Sequence, residues 1–341
     1  MHLGALPPAF AGLENEDSQE AAGYLQPFAL EAGDLLMEQG EEDYTLAFIV
    51  QGSVQFLDGE VRIGGAAARD MIGEVELFGQ MPRSASVAAS APTHLLVLAY
   101  EHWLELCERG NPAVYNIERF SHRRMSDRLR WLLDGIAERS QGGTAAPSGP
   151  PKRNGLMGAL SNLFGGGRAP NLDPAAVLVH SPMFNWADPE VLQQIGASFK
   201  VERFAPRTVV CRHGEIGDRA FVIVDGQVDL IAPVGTDAIE TIAALGPGMA
   251  FGDAALAQNA PRVGSCVCQT EVVALSIGRD QYGGLFAAND PAGSVFRQSM
   301  LRNLVLQLAP AQHRFVELER AINQRVEQTL RGSPVSTVWR D

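Results

Sequence analysis

Residues 72–87 read IGEVELFGQMPRSASV, and residues 251–266 read FGDAALAQNAPRVGSC. In both stretches an acidic residue follows a glycine, and an arginine lies nine positions after the acid. An ionised carboxylate accepts hydrogen bonds from hydroxyls, and the planar guanidinium of arginine matches the oxygens of a phosphate. The shared spacing therefore favours a ligand that carries both a hydroxyl and a phosphate.

The similarity extends beyond these two signatures. Gly40 and Gly52 lie 174 residues before Gly214 and Gly226, whereas the signatures themselves are 179 residues apart. A constant offset on either side of one five-residue insertion is typical of a duplicated domain. A chain of 341 residues therefore contains two domains of one kind.

Both copies have the same order of segments. Short β-rich stretches bounded by Gly, Pro or Asp come first, and helical patterns follow them, which predicts a small closed or sandwiched β unit with flanking helices. We predict a first domain at 10–139, a linker at 140–171, a second domain at 172–310 and a C-terminal amphipathic helix at 311–331. Pro310 is expected to interrupt the helix that precedes this last segment.

Two segments outside the β units could make contacts of their own. The linker is rich in Gly, Pro and Ser, and its short apolar stretch at 156–164 either packs on a domain or touches a partner or a membrane. The tail carries one apolar stripe, which predicts packing against the chain itself or a homodimer through the C-terminal helices. The stripe consists of Phe315, Leu318, Ile322, Val326 and Leu330.

Composition disfavours several classes of function. The net charge of −13 argues against nucleic acid as a partner, because a phosphate-backbone footprint needs clustered Lys and Arg. The sequence contains no apolar run of about 18 residues, so no integral membrane segment is expected. The N-terminus lacks the features of a signal peptide, which predicts a cytoplasmic protein.

No constellation of residues suggests catalysis. The histidines are scattered, and the four cysteines fit neither a disulfide framework nor a zinc site. We therefore expect neither catalytic residues nor a metal ion, and no cofactor apart from the ligand.

The signature at 72–87 resembles the phosphate-binding cassette of the cyclic-nucleotide-binding domain family. That cassette reads approximately Phe-Gly-Glu-Leu-Ala-Leu and then Pro-Arg-x-Ala-Ser/Thr-Val, and Ile72 replaces the usual Phe. The tandem layout resembles the regulatory subunit of cyclic-AMP-dependent protein kinase, and each domain resembles the sensor domain of the catabolite activator family. The resemblance implies two eight-stranded, jelly-roll-like β-rolls with flanking helices, the last of which moves when ligand enters.

The resemblance also implies which residues touch the ligand. In the first domain, Glu74 is the candidate acceptor for the ribose 2′-hydroxyl, and Arg83 is the partner of the cyclic phosphate, with a hydroxyl added by Ser84. Gly73, Val75 and the backbone of Ala85 complete the predicted set. The alternative is a plain Glu–Arg ion pair on a turn.

The second signature departs from the first. Its corresponding residues are Gly252, Asp253, Arg262 and Val263, of which the aspartate is one methylene shorter and the valine lacks a hydroxyl. We expect weaker binding there, a different ligand, or an empty pocket that serves for docking.

The function that this reading predicts is a non-catalytic cyclic-nucleotide sensor that regulates an unidentified protein partner. Cyclic AMP is favoured over cyclic GMP on family frequency alone, and candidate base-capping residues lie on the long helix around 120–131. The alternative is a structural adaptor in which one or both pockets are degenerate.

Overall fold

The computed structural model describes residues 7–10, 12–140, 172–232 and 240–332. The apolar stretch at 156–164, and nearly all of the predicted linker, lie outside these residues.

The first domain consists of two four-stranded antiparallel sheets followed by helices. The sheets have the strand orders β1-β8-β3-β6 and β2-β7-β4-β5. The elements are a 3₁₀ turn (Pro8–Phe10), α1 (Asn15–Gly23), β1 (Leu25–Leu30), β2 (Leu35–Met37), β3 (Leu46–Gln51), β4 (Ser53–Asp58), β5 (Val61–Ala67), β6 (Met71–Ile72), α2 (Glu74–Gly79), β7 (Ser86–Ala89), β8 (Thr93–Leu98), α3 (Tyr100–Glu108) and α4 (Pro112–Arg139).

The second domain repeats this topology. Its sheets have the orders β9-β16-β11-β14 and β10-β15-β12-β13. These are the orders of the first domain with each strand number raised by eight. The elements are α5 (Pro174–His180), α6 (Pro189–Gly196), β9 (Lys200–Phe204), β10 (Val209–Cys211), β11 (Arg219–Asp225), β12 (Val228–Ala232), β13 (Glu240–Leu245), β14 (Ala250–Phe251), α7 (Asp253–Gln258), β15 (Ser265–Cys268), β16 (Val272–Gly278), α8 (Arg279–Ala287) and α9 (Pro291–Gly332). The predicted fold class, two β-rolls with flanking helices, is confirmed.

The long helix of the first domain begins where its sequence indicates. The Asn111 side chain accepts a hydrogen bond from the backbone N–H of Ala113 at 2.9 Å, and Pro112 occupies the first turn. An asparagine cap followed by proline suits a helix N-terminus, because proline lacks an N–H that would be unpaired there.

Helix α9 runs without a break from Pro291 to Gly332, so the prediction that Pro310 interrupts it was wrong. Proline cannot donate the hydrogen bond that the carbonyl of residue 306 would otherwise accept. Leu306 is 48% exposed, so the missing bond lies on the solvent side of the helix, where water can take its place.

One hydrophobic cluster spans the two domains, in addition to clusters that lie within each domain. Leu129, Leu133 and Ile136 of α4 pack in one buried cluster with Leu304 and Phe315 of α9. The tail stripe therefore packs on the chain itself at Phe315 and Leu318, whereas Val326 is 52% exposed. Within the described ranges, no helix is both long and apolar enough to cross a membrane.

A buried ion pair also joins the domains. The Arg297 guanidinium on α9 donates to the Glu118 carboxylate on α4 at 2.6 Å, and both side chains are almost fully buried. The guanidinium also lies over the ring of Tyr115, 4.6 Å from its centroid.

Candidate functional site

The first signature connects β6 to β7, and its middle forms the short helix α2. Gly73 precedes this helix with a φ of 94°, and a Cβ at this position would lie 2.3 Å from the Thr45 carbonyl oxygen. Only glycine fits such a conformation and such an approach. The turn buries the side chains of both Glu74 and Glu76.

Arg83 is buried and already has oxygen partners. Its Nη2 donates to the Asp43 carboxylate at 2.5 Å and to the Thr45 carbonyl at 2.9 Å, and its Nη1 donates to Glu76 at 3.2 Å. Although burial opposes the shift, hydrogen bonds from Thr45 and Arg83 hold the pKa of Asp43 below its ordinary value. The carboxylates that pair with Arg83 are thus Asp43 and Glu76, not Glu74 as a plain pair within the signature would require.

Ser84 also turns its donors toward Glu76. Its backbone N–H and its hydroxyl both donate to Glu76 Oε1, at 3.0 and 2.7 Å. Arg83 and Ser84 thus both donate to Glu76, a residue that the sequence analysis did not single out.

Five of the six residues predicted in the first domain line one small cavity. Gly73, Glu74, Val75, Ser84 and Ala85 bound a space of about 20 Å³, which Arg128 of α4 closes. Burial raises the pKa of Glu74, and the nearby guanidinium groups of Arg124 and Arg128 act in the opposite direction. The chemistry of this cavity is that of a buried acid beside arginines.

Helix α9 of the second domain covers the first cassette. The Gln312 amide donates to the Ser84 carbonyl at 3.0 Å and to the Asp58 carboxylate at 3.3 Å, and it accepts from Arg128 at 2.7 Å. A cavity of about 190 Å³ remains between the cassette and this helix. Gly79 permits the close approach, since a Cβ there would lie 2.9 Å from Val305.

The second cassette has the same backbone but different contacts. Arg262 donates to the carbonyls of Gly252 and Arg219 at 2.6 and 2.7 Å, and a carboxylate oxygen of Asp218 is 3.9 Å away. Asp253, Arg262 and Val263 line a cavity of about 20 Å³.

Asp253 lies at the junction of the two domains. It is fully buried, and neither carboxylate oxygen has a hydrogen-bond partner among the described residues. Burial raises the pKa of Asp253 to about 6 and lowers the pKa of His122 to about 3. His122 on α4 lies 3.9 Å from the carboxylate, so a neutral imidazole faces it near neutral pH.

The part of the chain that the structure describes contains no candidate metal-binding site. No group of three or more His, Cys, Asp or Glu side chains there is arranged to hold a metal ion, and the four cysteines are free.

Both signatures lie within matches to one known protein family. A cyclic nucleotide-binding domain matches residues 27–110 and residues 201–289, and each match includes one signature. The chain belongs to the cyclic nucleotide-binding domain family. The predicted pair of cyclic nucleotide-binding domains is thereby confirmed.

The relatives of these domains include a kinase regulatory subunit and an ion channel. A cAMP-dependent protein kinase regulatory subunit of Yarrowia lipolytica is 21% identical over 273 residues, which are 80% of this chain and 57% of that protein. A cyclic nucleotide-gated potassium channel of Mesorhizobium japonicum is 32% identical over 120 residues, which are 35% of this chain and 32% of the channel. The chain thus spans between about a third and somewhat over half of the length of these relatives.

The chain was also compared with solved structures. The regulatory domain of Toxoplasma gondii PKA with cAMP is 16% identical and has a TM-score of 0.32, over 82% of this chain and 88% of that one.

The sequence analysis missed Glu76 and Gln312 for different reasons. Glu76 occupies the position of an alanine in the family pattern, and Ala255 occupies it in the second copy, so a comparison of the two copies would have found it. Gln312 lies 228 residues after Ser84, and no local pattern connects them.

Proposed function

We propose that this protein is a non-catalytic cyclic-nucleotide sensor, with cyclic AMP as its ligand, that regulates a partner protein through movement of α4 and α9. Membership of the family supports the class of ligand, and the names of the relatives support a regulatory role. The observation that carries the mechanism is the contact of Gln312 with Ser84, because it places a helix of the second domain on the first cassette.

In this proposal the predicted residues keep their roles. Glu74 accepts from the ribose hydroxyl, Arg83 and Ser84 bind the cyclic phosphate, and Gly73, Val75 and Ala85 shape the pocket. In the second domain, Gly252, Asp253, Arg262 and Val263 form the corresponding pocket. A cytoplasmic location, a homodimer and the domain boundaries 10–139 and 172–310 also remain part of the proposal.

The geometry supports a movement on binding. The cavity at the first cassette has a volume of about 20 Å³, which is room for about one water molecule, so a nucleotide enters only if the pocket opens. Arg128 of α4 lines this cavity and donates to Gln312 of α9, so opening the pocket on that side disturbs a contact between the two helices. The ligand then shifts the equilibrium between the open and closed arrangements of α4 and α9. The size of this shift is set by the difference between its affinities for the two arrangements.

Calorimetry and hydrogen exchange on the full chain test the proposal. Cyclic AMP and cyclic GMP are titrated separately, and exchange is measured at 113–139 and 303–322 with and without saturating ligand. We expect saturable binding and a change of exchange in both helices. Binding that leaves both segments unchanged would refute the movement.

A structural adaptor with degenerate pockets is the second candidate. It is favoured by the cassette donors of the first domain, which are already bonded to Glu76, and by the small size of both cavities. A thermal shift separates the two functions, since a ligand at 100 times its Kd stabilises the folded state by about 2.7 kcal/mol. An adaptor with degenerate pockets would show no shift with either nucleotide.

A further inference from the structure

Three donors of the first cassette converge on one carboxylate. Arg83 Nη1, the Ser84 N–H and the Ser84 hydroxyl lie 3.2, 3.0 and 2.7 Å from the oxygens of Glu76. The proposed function gives these same groups to the cyclic phosphate. Because a donor hydrogen already held by one anion is not available to another, Glu76 and a cyclic phosphate compete for them.

The contact is not a local feature of helix α2. A glutamate at the third position of a helix commonly reaches back to the backbone N–H of the N-cap residue. Glu76 holds this position, yet its side chain reaches across to the loop that carries Arg83 and Ser84, seven and eight residues away. It is only 6% exposed, so solvent does not weaken the contact.

Charge neutralisation of Arg83 does not require Glu76. The guanidinium already contacts the Asp43 carboxylate at 2.5 Å, so Glu76 is a second carboxylate on the same arginine. A cyclic phosphate that entered beside both carboxylates would meet two like charges at short range. Glu76 must therefore leave when the phosphate binds.

The second domain provides an internal comparison. Ala255 occupies the position of Glu76, and Arg262 donates to two backbone carbonyls. The carboxylate that faces Arg262 belongs to Asp218, whose side chain is 76% exposed and 3.9 Å away. A buried side-chain carboxylate at the phosphate position is thus a property of the first cassette and not of the fold.

We infer that Glu76 is a tethered occupant of the phosphate site in the first domain, and that it selects against anionic ligands by competing for the phosphate donors. This inference rests on the proposed function. An uncharged nucleoside bears no phosphate, so its ribose can reach Glu74 without displacing Glu76. A cyclic nucleotide binds only by displacing it.

The test is a titration of the full chain with cyclic AMP and, separately, with adenosine. Hydrogen exchange at 73–89 and at 252–268 assigns each midpoint to its pocket. The variants are Glu76→Ala, which reproduces Ala255, and the isosteric Glu76→Gln, which keeps the shape but loses the charge. Glu60→Ala is the control, because it removes one negative charge from an exposed turn.

We expect Glu76→Ala to bind cyclic AMP at the first pocket at least about tenfold more tightly, since one competing charged contact is removed. Glu76→Gln should lie between it and the parent chain, and adenosine affinity should change less than about twofold in every variant. Glu60→Ala should match the parent with both ligands.

Each contrary result has its own meaning. If the parent chain binds cyclic AMP at 73–89 and neither Glu76 variant binds it more tightly, the inference is wrong while the proposed function stands. If adenosine affinity rises as much as that of cyclic AMP, Glu76 blocks the pocket by its size and not by its charge, and the inference is again wrong. If no chain binds cyclic AMP there, the proposed function and the inference both fail for this domain.

Discussion

Arg83 and Arg262 hold the same place in two copies of one cassette, yet their surroundings differ. Arg83 is neutralised by two carboxylates, whereas Arg262 donates to backbone carbonyls. The two arginines hold equivalent positions in the sequence but differ in the charges around them. The ligand affinity of each pocket must therefore be measured separately.

Replacement of Arg83 by alanine tests its role as the phosphate partner. A hydrogen bond to a charged group contributes about 1.5–3 kcal/mol, so cyclic AMP affinity at the first pocket should fall by one to two decades. Arg62→Ala is the control, because it removes the same charge from an exposed position on β5. Calorimetry that gives equal affinity for both variants would contradict the assignment.

Asp253→Asn tests the buried carboxylate of the second domain. The pKa of Asp253 rises from 3.8 to about 6 on folding, so the folded state holds more protons between these values and stability falls as pH rises through them. The variant should therefore be more stable than the parent at pH 8 by on the order of 3 kcal/mol, and this gain should shrink below about pH 6.

The effect of pH on stability has the opposite sign for His122. Its pKa falls from 6.5 to about 3 on folding, so its own contribution to stability grows as pH rises over that range. His122 is present in both chains, so the difference between them reports on Asp253 together with its contact with His122. Urea unfolding at pH 5 and pH 8 measures it. A gain of equal size at both pH values would show that the carboxyl has an ordinary pKa.

The sequence could predict the site only as far as local spacing reaches. Gly73, Glu74 and Arg83 lie within eleven residues of one another, so one turn brings them together. Asp43 comes from a loop 40 residues earlier, and Gln312 from a helix of the other domain. Their positions depend on tertiary packing, which no spacing encodes.

At the scale of elements, the packing of α9 on α4 depends on one small residue. A Cβ at Gly135 of α4 would lie 2.7 Å from the ring of Phe315, which is buried between Trp131 and Arg139. The glycine thus lets the aromatic ring lie directly against the helix.

Gly135→Ala should consequently loosen α9. The added methyl must displace a buried ring, and overpacking of this kind costs about 1–3 kcal/mol. We expect faster hydrogen exchange at 311–322 with a smaller change at 292–300, a segment that lies at least 15 residues before Phe315 and contacts α4 at Glu118 rather than at Gly135. Gly110→Ala is not a suitable control, because Gly110 has a positive φ of 65°. Gly23→Ala is suitable, since a Cβ there meets no atom within 4 Å. Equal exchange in both variants would contradict the expectation.

Helices and strands could be predicted where capping residues and hydrophobic periodicity indicate the same element. The prediction failed where the position of a residue in the tertiary structure decides whether a proline is tolerated. Strand β1 contains Pro27, which weakens the sequence signal for a strand because proline cannot donate within a sheet. The structure places β1 at the edge of its sheet, where that N–H is not needed. Pro310 is the corresponding case in a helix, tolerated on the exposed side of α9.

At the scale of the whole molecule, the two domains should unfold together. Their helices share one core, and the Glu118–Arg297 pair lies within it. Removal of one partner from a buried ion pair costs about 3–5 kcal/mol, so Arg297→Met should be strongly destabilised. The double variant Glu118→Leu/Arg297→Met should recover much of this loss.

Urea unfolding followed by tryptophan fluorescence and by circular dichroism measures both effects. Trp103 reports on the first domain, Trp186 on the second and Trp131 on the contact between α4 and α9, while the fourth tryptophan, Trp339, lies outside the described residues. Coincident transitions are expected for the parent chain. Two separated transitions, or an Arg297→Met variant as stable as its parent, would show that the domains are independent.

Helix α9 touches both cassettes within a short distance. Gln307 donates to the carbonyl of Ala250 beside the second cassette, and Gln312 donates to Ser84 of the first. The two contacts are five residues apart, which is about 7.5 Å along one helix. Under the proposed function, ligands at the two pockets would therefore act on the same helix, and binding at one pocket should change the affinity of the other. A saturation curve with a Hill coefficient different from one would be the signature of this shared output.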